Sequence, residues 1–409
     1  MQHVAPVGKE APGASSLRPN CCACPVCGGT VSVDFFEAQW LPVHVGIFGS
    51  TQEEAFRLPT GDVVLSYCRD CGFIHNRVFD PGKLDYKPGY EVALHHSATF
   101  RRFMDGVAAR LMERFDLHNK RIIEIGCGCA YFLSMLAELG GNDCIGYDPT
   151  VKSEGIVQVG GGRLQLVRDY FGPQHTVDAD LVCCLSVFEH IPNPGDFLRM
   201  LRSGIEDKQP AIYFEVFNAL QAIRNQEIWS IHYEQVNYFS RQSLARCFCQ
   251  AGFRILDADV CYEGGQYVFV EATPAEGDPY RPREFQDDPA EVPEEIAAFA
   301  DHHRARVAEW TGRLEEYRQT GRRVVVWGSG GKGIGFLNAL ATQDVIRYVV
   351  EINPDKHGQF IPGSGQEIVP PEFLADYQPQ TIIITNALYE KEMTQRANEL
   401  GVECEFLIA

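Results

Sequence analysis

The stretch Arg121-Ile122-Ile123-Glu124-Ile125-Gly126-Cys127-Gly128-Cys129-Ala130-Tyr131 turns an apolar, β-branched run into a glycine bend and then into a helical pattern. Isoleucines favour a strand, and glycines let the chain turn sharply and bring backbone amides close to a ligand. A helix is expected over Tyr131–Leu139, and a second strand over Asp143–Tyr147 delivers Asp148 and Pro149 to the same edge. Further strand signals at Asp180–Leu185 and Ala211–Val216 flank a helical pattern over Pro194–Leu201, and an amphipathic helix over Ser97–Phe115 precedes them all. Alternation at this spacing predicts an α/β fold built on a doubly wound parallel sheet.

The glycine bend reads G-x-G-x-A and lacks the third glycine of a dinucleotide fingerprint. An acidic residue just ahead of the turn, Glu124, suits S-adenosylmethionine better than a pyrophosphate, because the helix N-terminus then meets the amino-acid end of the cofactor. Asp148 is placed to hold both ribose hydroxyls, Asp169-Tyr170 to reach the adenine, and Ser186 to leave the fourth strand at the mouth of the site. The expected cofactor residues are Glu124, Gly126, Cys127, Gly128, Asp148, Pro149, Asp169, Tyr170 and Ser186.

Upstream, Cys24-x-x-Cys27 and Cys68-x-x-Cys71 form two CxxC knuckles, each followed by glycine. Two such pairs supply the four thiolates of a tetrahedral structural zinc site, which leaves the metal no open position for chemistry. Strands are expected around them at Trp40–Phe48 and Val63–Tyr67. Downstream, Glu276 to Pro293 has a linker's composition, rich in Pro, Asp and Glu, and a helix follows over about Glu294–Arg318. A second α/β unit opens at Arg323–Trp327 and continues with strands near Val345–Val350, Thr381–Thr385 and Glu403–Leu407. Its loop Gly328-Ser329-Gly330-Gly331-Lys332-Gly333, with Glu351 closing the next strand, fits the dinucleotide fingerprint, although Lys332 inside the turn is unusual for NAD. The expected organisation is a flexible tail over 1–20, a zinc module over 21–80, a cofactor domain over 81–275, a linker and helix over 276–320, and a C-terminal domain over 321–409.

A formal charge of −19 argues against nucleic acid or an anionic membrane as partner, and no apolar run approaches the length that spans a bilayer. Fifteen cysteines, several inside apolar runs such as Val182-Cys183-Cys184-Leu185, are the usage of a reducing, cytoplasmic compartment.

Taken together these stretches resemble the three-domain C-methyltransferases that act on nucleotide-linked keto-deoxysugars. The resemblance is carried by the doubled CxxC, by Gly89-Tyr90-Glu91 to His95-His96-Ser97, and by the Gly126 loop. It continues through Phe188-Glu189-His190-Ile191-Pro192, Tyr233-Glu234 with Tyr238-Phe239-Ser240, and Glu351 to Gly358 with Pro362-Gly363. It implies a class I methyltransferase core flanked by a small zinc-binding module and a Rossmann-like C-terminal domain that holds no redox cofactor of its own. It further implies S-adenosylmethionine as cofactor and a small-molecule acceptor, a nucleotide-linked sugar, in specialised biosynthesis.

Carbon methylation beside a ketone needs a base for the α-proton and a group that stabilises the enolate. His190, leaving the fourth strand, and His232-Tyr233-Glu234 are the expected catalytic residues. The family carries Tyr-x-Glu-His where this chain reads His232-Tyr233-Glu234-Gln235, and Gln235 cannot act as a base. Either His190 or His232 therefore takes the proton, or the acceptor is a nitrogen or oxygen. An NAD-dependent oxidoreductase using the second loop and a catalytically idle binding protein are the remaining readings.

Overall fold

The computed structural model describes residues 17–205, 208–275, 292–340 and 342–409, whose strands sort into three sheets. The first is antiparallel, with β1 (Arg18–Asn20), β2 (Ser32–Pro42), β3 (Thr60–Cys68) and β4 (Ile74–Asn76) in spatial order. The strand expected over Trp40–Phe48 is displaced: β2 begins at Ser32 and stops at Pro42, which brings no N–H to the ladder. Trp40 adopts a φ of 60°, and the β2–β3 register shifts between Ala38 and Leu41. Residues 1–16 of the expected tail and 276–291 of the expected linker lie outside the described residues, and Arg18–Asn20 are not tail but strand.

The second sheet holds β5 (Arg121–Ile125), β6 (Asp143–Tyr147), β7 (Gly155–Val159), β8 (Gly162–Val167), β9 (Leu181–Leu185) and β10 (Ala211–Phe217). After a short β11 (Asn237–Tyr238), the chain adds β12 (Phe253–Cys261) and β13 (Tyr267–Pro274) to this sheet. Its order is β12-β13-β10-β9-β5-β6-β8-β7. Strands β10, β9, β5, β6 and β8 are parallel, and the central β10, β9 and β5 are near-continuously buried along their length. The sheet as a whole is mixed, which corrects the purely parallel expectation. Short glycine turns at Gly160 and at Gly264-Gly265, all with positive φ, can join only antiparallel neighbours, so β7 runs against β8 and β13 against both β12 and β10.

The third sheet is parallel throughout: β14 (Val324–Trp327), β15 (Ile346–Val350), β16 (Glu367–Val369), β17 (Thr381–Ile384) and β18 (Glu405–Ile408), ordered β16-β15-β14-β17-β18.

Strand β11 does not join the sheet of its neighbours in sequence. It pairs with β4 and completes the N-terminal sheet, with Asn237 opposite His75 and Tyr238 opposite Ile74. The cores cross the boundaries in the same way. One apolar cluster runs from Val33 and Leu65 through Trp229 and Tyr238 to Phe299 and Trp310 of the long helix Val292–Thr320, then to Val324 and Phe336 of the C-terminal domain. Another packs Cys24, Cys68, Cys71 and Phe73 against Phe188, Phe239 and Phe248 on one face of the second sheet.

Candidate active site

The Gly126 loop leaves β5 where the strand order reverses between β5 and β9, the position at which open α/β sheets bind ligands. Gly126 has a φ of 75°, and a Cβ there would come within 2.4 Å of Val187 Cγ2. Its N–H donates to the Tyr147 carbonyl at 2.8 Å, tying the loop to β6. Gly128, at φ 52°, has no atom within 4 Å of where a Cβ would stand, and its N–H donates to Asp148 Oδ2 at 2.8 Å. Asp148 Oδ1 accepts from Thr150 N at 2.7 Å, which fixes the carboxylate after Pro149. Glu124 is buried and its Oε2 has no partner. Burial, and then the neighbouring Asp148 charge, hold its pKa well above the usual carboxylate range. An orphaned acid beside an open glycine loop fits a ligand with a cationic, hydrogen-bonding end, which S-adenosylmethionine has. Cys127 is buried against Gly146, whereas Cys129 is exposed beside His95, whose ring stacks on Tyr131 with centroids 4.8 Å apart. Ser186, at φ 53°, ends β9 with its N–H on the Glu215 carbonyl. Asp169 contacts Gln174 at 3.1 Å, and Tyr170 is half-exposed.

Tyr86 marks a second cluster, and most of it came without a sequence signal. Glu234 is completely buried; Tyr90 Oη donates to its Oε1 at 2.8 Å and His44 Nδ1 to its Oε2 at 3.1 Å. Burial acts to raise the Glu234 pKa, but the His44 hydrogen bond, the nearby His190 and the Tyr90 hydroxyl outweigh it and leave it below the usual value. Tyr86 Oη is buried in the same cluster, close enough for Glu234 to act on it but without a well-formed hydrogen bond. Burial and the Glu234 charge hold both tyrosines as phenols, far above the ordinary tyrosine pKa. The Asp148 charge adds to the upward pull on both Tyr90 and Tyr170. His190 closes the cluster. Its Nδ1 lies 2.9 Å from the Glu234 carbonyl, and a carbonyl only accepts, so Nδ1 carries the proton and Nε2 keeps the lone pair.

The structure does not bring the other expected catalytic residues to this point. Tyr233 turns toward the N-terminal module, where its hydroxyl donates to the Asp80 carbonyl and accepts from the Asp80 N–H. His232 packs its ring on Gly331, where a Cβ would meet its Nε2 at 2.4 Å, and burial lowers its pKa to about 4. Gln235 is buried with its amide nitrogen unpaired. The second glycine loop is closed by its own neighbours. Glu351 takes the N–H groups of Ser329, Ile352 and Asn353, the Ser329 hydroxyl, and the buried Lys356 ammonium at 3.8 Å. Lys332 pairs with Glu227 at 2.5 Å. The carboxylate that would receive a dinucleotide ribose is thereby saturated by protein.

In the N-terminal module the sulfurs of Cys24, Cys27, Cys68 and Cys71 lie within 4.8 Å of one another, with Cys24–Cys71 and Cys27–Cys68 both at 3.6 Å. Tetrahedral coordination at about 2.3 Å per bond separates sulfurs by roughly 3.8 Å, so the set fits zinc. Hydrogen bonds from Cys24 and Cys71 favour the thiolate on Cys68 and drive those two thiols upward.

Residues 97–258 match the model of a methyltransferase domain, and residues 286–408 match that of a C-methyltransferase C-terminal domain. The C-methyltransferase NovU of Streptomyces niveus is 24% identical over 401 residues, 92% of each chain. The chain belongs to the three-domain C-methyltransferases. A tRNA U34 carboxymethyltransferase of Sulfurimonas denitrificans is 26% identical over 121 residues, 26% of this chain and 38% of that protein. Among solved structures, the magnesium protoporphyrin IX methyltransferase of Synechocystis PCC 6803 with bound SAH aligns at a TM-score of 0.36 and 17% identity, over 45% of this chain and 89% of that one. This protein is thus an S-adenosylmethionine-dependent methyltransferase, and among its described residues no helix is long and apolar enough to cross a membrane.

Proposed function

We propose that this methyltransferase methylates the carbon beside a ketone in a nucleotide-linked deoxysugar, with His190 as the base. The observation that carries the reading is the His190 tautomer: Nδ1–H is spent on the backbone carbonyl of Glu234, so in the neutral ring the lone pair is on Nε2. His232 is the weaker candidate, since a conjugate acid near pH 4 accepts a proton poorly from carbon. Glu124, Gly126, Gly128 and Asp148 hold S-adenosylmethionine, which when bound supplies an electrophilic methyl group. His190 Nε2 takes the α-proton, and the electron pair left behind moves toward the ketone oxygen as an enolate. The partnerless Tyr86 hydroxyl is the group that an acceptor oxygen would satisfy, and a phenol held neutral donates to an enolate. Glu234 stays ionised and fixes Tyr90 beside it. The sugar acceptor follows from the resemblance of the whole chain to that family and is in keeping with the 24% identity to a C-methyltransferase. Zinc in the Cys24, Cys27, Cys68 and Cys71 site, and a cytoplasmic setting in which all these cysteines stay reduced, complete the reading.

The test is enolisation itself. With S-adenosylhomocysteine bound and thymidine-diphosphate 4-keto-6-deoxyglucose as probe, solvent deuterium should enter the α-carbon. His190→Asn should slow both exchange and methyl transfer by about 10²–10⁴-fold while cofactor affinity persists. Turnover without exchange, unaffected by His190→Asn, would instead support methylation of nitrogen or oxygen.

A further inference from the structure

The N-terminal module reaches the reacting centre through one side chain. His44 follows β2, is buried, and lies 190 residues before the glutamate it touches. Its Nε2 lies 3.2 Å from the Asp85 backbone nitrogen, which can only donate. Nε2 is therefore the acceptor, and Nδ1 carries the proton that goes to Glu234 Oε2 at 3.1 Å. The same ring meets Tyr86 edge-on with centroids 5.1 Å apart, and Tyr90 at 6.0 Å. One imidazole thus grips the carboxylate, the backbone that leads into Tyr86, and the faces of both tyrosines.

We propose that His44 is a positioning residue of the methyl-transfer site: its Nδ1–H fixes the Glu234 carboxylate while its Nε2 fixes the Tyr86–Tyr90 loop against it. This rests on the reading of the Glu234 cluster as the active site. The two nitrogens do separable work. Asparagine places an amide N–H near the Nδ1 position and keeps the bond to Glu234; glutamine places a carbonyl near the Nε2 position and keeps the bond to Asp85. The titratable groups around Glu234 are His44, Tyr86, Tyr90 and His190, with His232, packed on Gly331, coupled to it through charge alone. Removing the His44 donor leaves burial less opposed, so the carboxylate should take up a proton at higher pH.

The experiment compares the full-length chain with His44→Phe, His44→Asn, His44→Gln and Glu234→Gln. It uses S-adenosylmethionine and thymidine-diphosphate 4-keto-6-deoxyglucose, reads kcat against pH, and measures S-adenosylhomocysteine affinity in parallel. His44→Phe should lower kcat at least about tenfold, move the acid limb of the kcat profile upward by about one pH unit, and leave cofactor affinity within about threefold. His44→Asn should return the limb to its original pH, and His44→Gln should not. An unchanged kcat and limb in His44→Phe would overturn the proposal. So would a loss of kcat matched by an equal loss of cofactor affinity with the limb in place, because that marks a purely structural residue. If Glu234→Gln also turns over normally, the cluster is not the active site, and the functional reading falls with the proposal. Loss in Glu234→Gln without loss in His44→Phe removes the His44 role alone.

Discussion

Asp148 accepts from the Gly128 N–H and from Thr150, so its carboxylate shapes the glycine loop, and in the proposed site it also meets the cofactor ribose. Hydrogen bonds to a charged group contribute about 1.5–3 kcal/mol each. Asp148→Ala should therefore weaken S-adenosylhomocysteine binding by roughly 10- to 150-fold in calorimetry. Gly330→Ala, on a loop whose notional Cβ meets nothing within 4 Å, should leave that affinity intact. An Asp148→Ala protein with wild-type affinity would place the cofactor elsewhere. The acid and the glycines were legible in the sequence because a strand, a turn and a second strand put them together within a short span. The site roles of His44 and Tyr90 were not, since their partner Glu234 lies on a different element 190 and 144 residues away, and only the fold brings them into contact. Tyr233 shows the converse. It stands beside Glu234 in sequence, but the chain bends at these two residues and its hydroxyl went to Asp80.

At the scale of elements, the segment that carries Glu234 runs directly into β11, and β11 belongs to the sheet whose β3–β4 turn is the second cysteine knuckle. Cys68 N donates to the Phe73 carbonyl and Gly72 N to the Cys68 carbonyl, so Cys68 and Cys71 sit astride the turn that aligns β4. Asn76 N then donates to the Val236 carbonyl, two residues beyond Glu234. The paired cysteines were readable as a metal site, whereas the two-residue β11 is too short to leave a pattern, and its pairing spans more than 160 positions. Metal analysis of the purified chain should find one zinc. Stripping it with a chelator should speed amide exchange in β3, β4 and β11 far more than in β14 and β17, because loop closure by the metal is lost only in the first sheet. Equal protection in the two sheets before and after chelation would break the link between knuckle and catalytic segment.

Over the whole molecule the modules are joined through a shared apolar core in which the helix Val292–Thr320 is the common wall. Its Phe299, Trp310 and Leu314 are buried between the N-terminal and C-terminal sheets, so their stabilities are coupled. His303 of this helix meets Phe36 of β2 edge-on with centroids 4.9 Å apart and Trp229, five residues before Glu234, at 6.2 Å. Burial, with smaller contributions from Arg304 and His302, lowers its pKa from 6.5 to about 4. A histidine with a depressed folded-state pKa binds its proton more readily in the unfolded chain. Its contribution is therefore constant above pH 6.5 and turns against the folded state as pH falls from 6.5 toward about 4. The slope is about 1.4 kcal/mol per pH unit, so at pH 5 the penalty approaches about 2 kcal/mol. His303→Phe keeps a ring between Phe36 and Trp229 and cannot take up the proton. Denaturant unfolding should show wild type and His303→Phe close in stability at pH 7, with the variant more stable by up to about 2 kcal/mol at pH 5. A stability difference that stays the same at both pH values would mean that the protonated ring finds solvent or a counter-charge at this junction, and that the wall between the modules opens in acid.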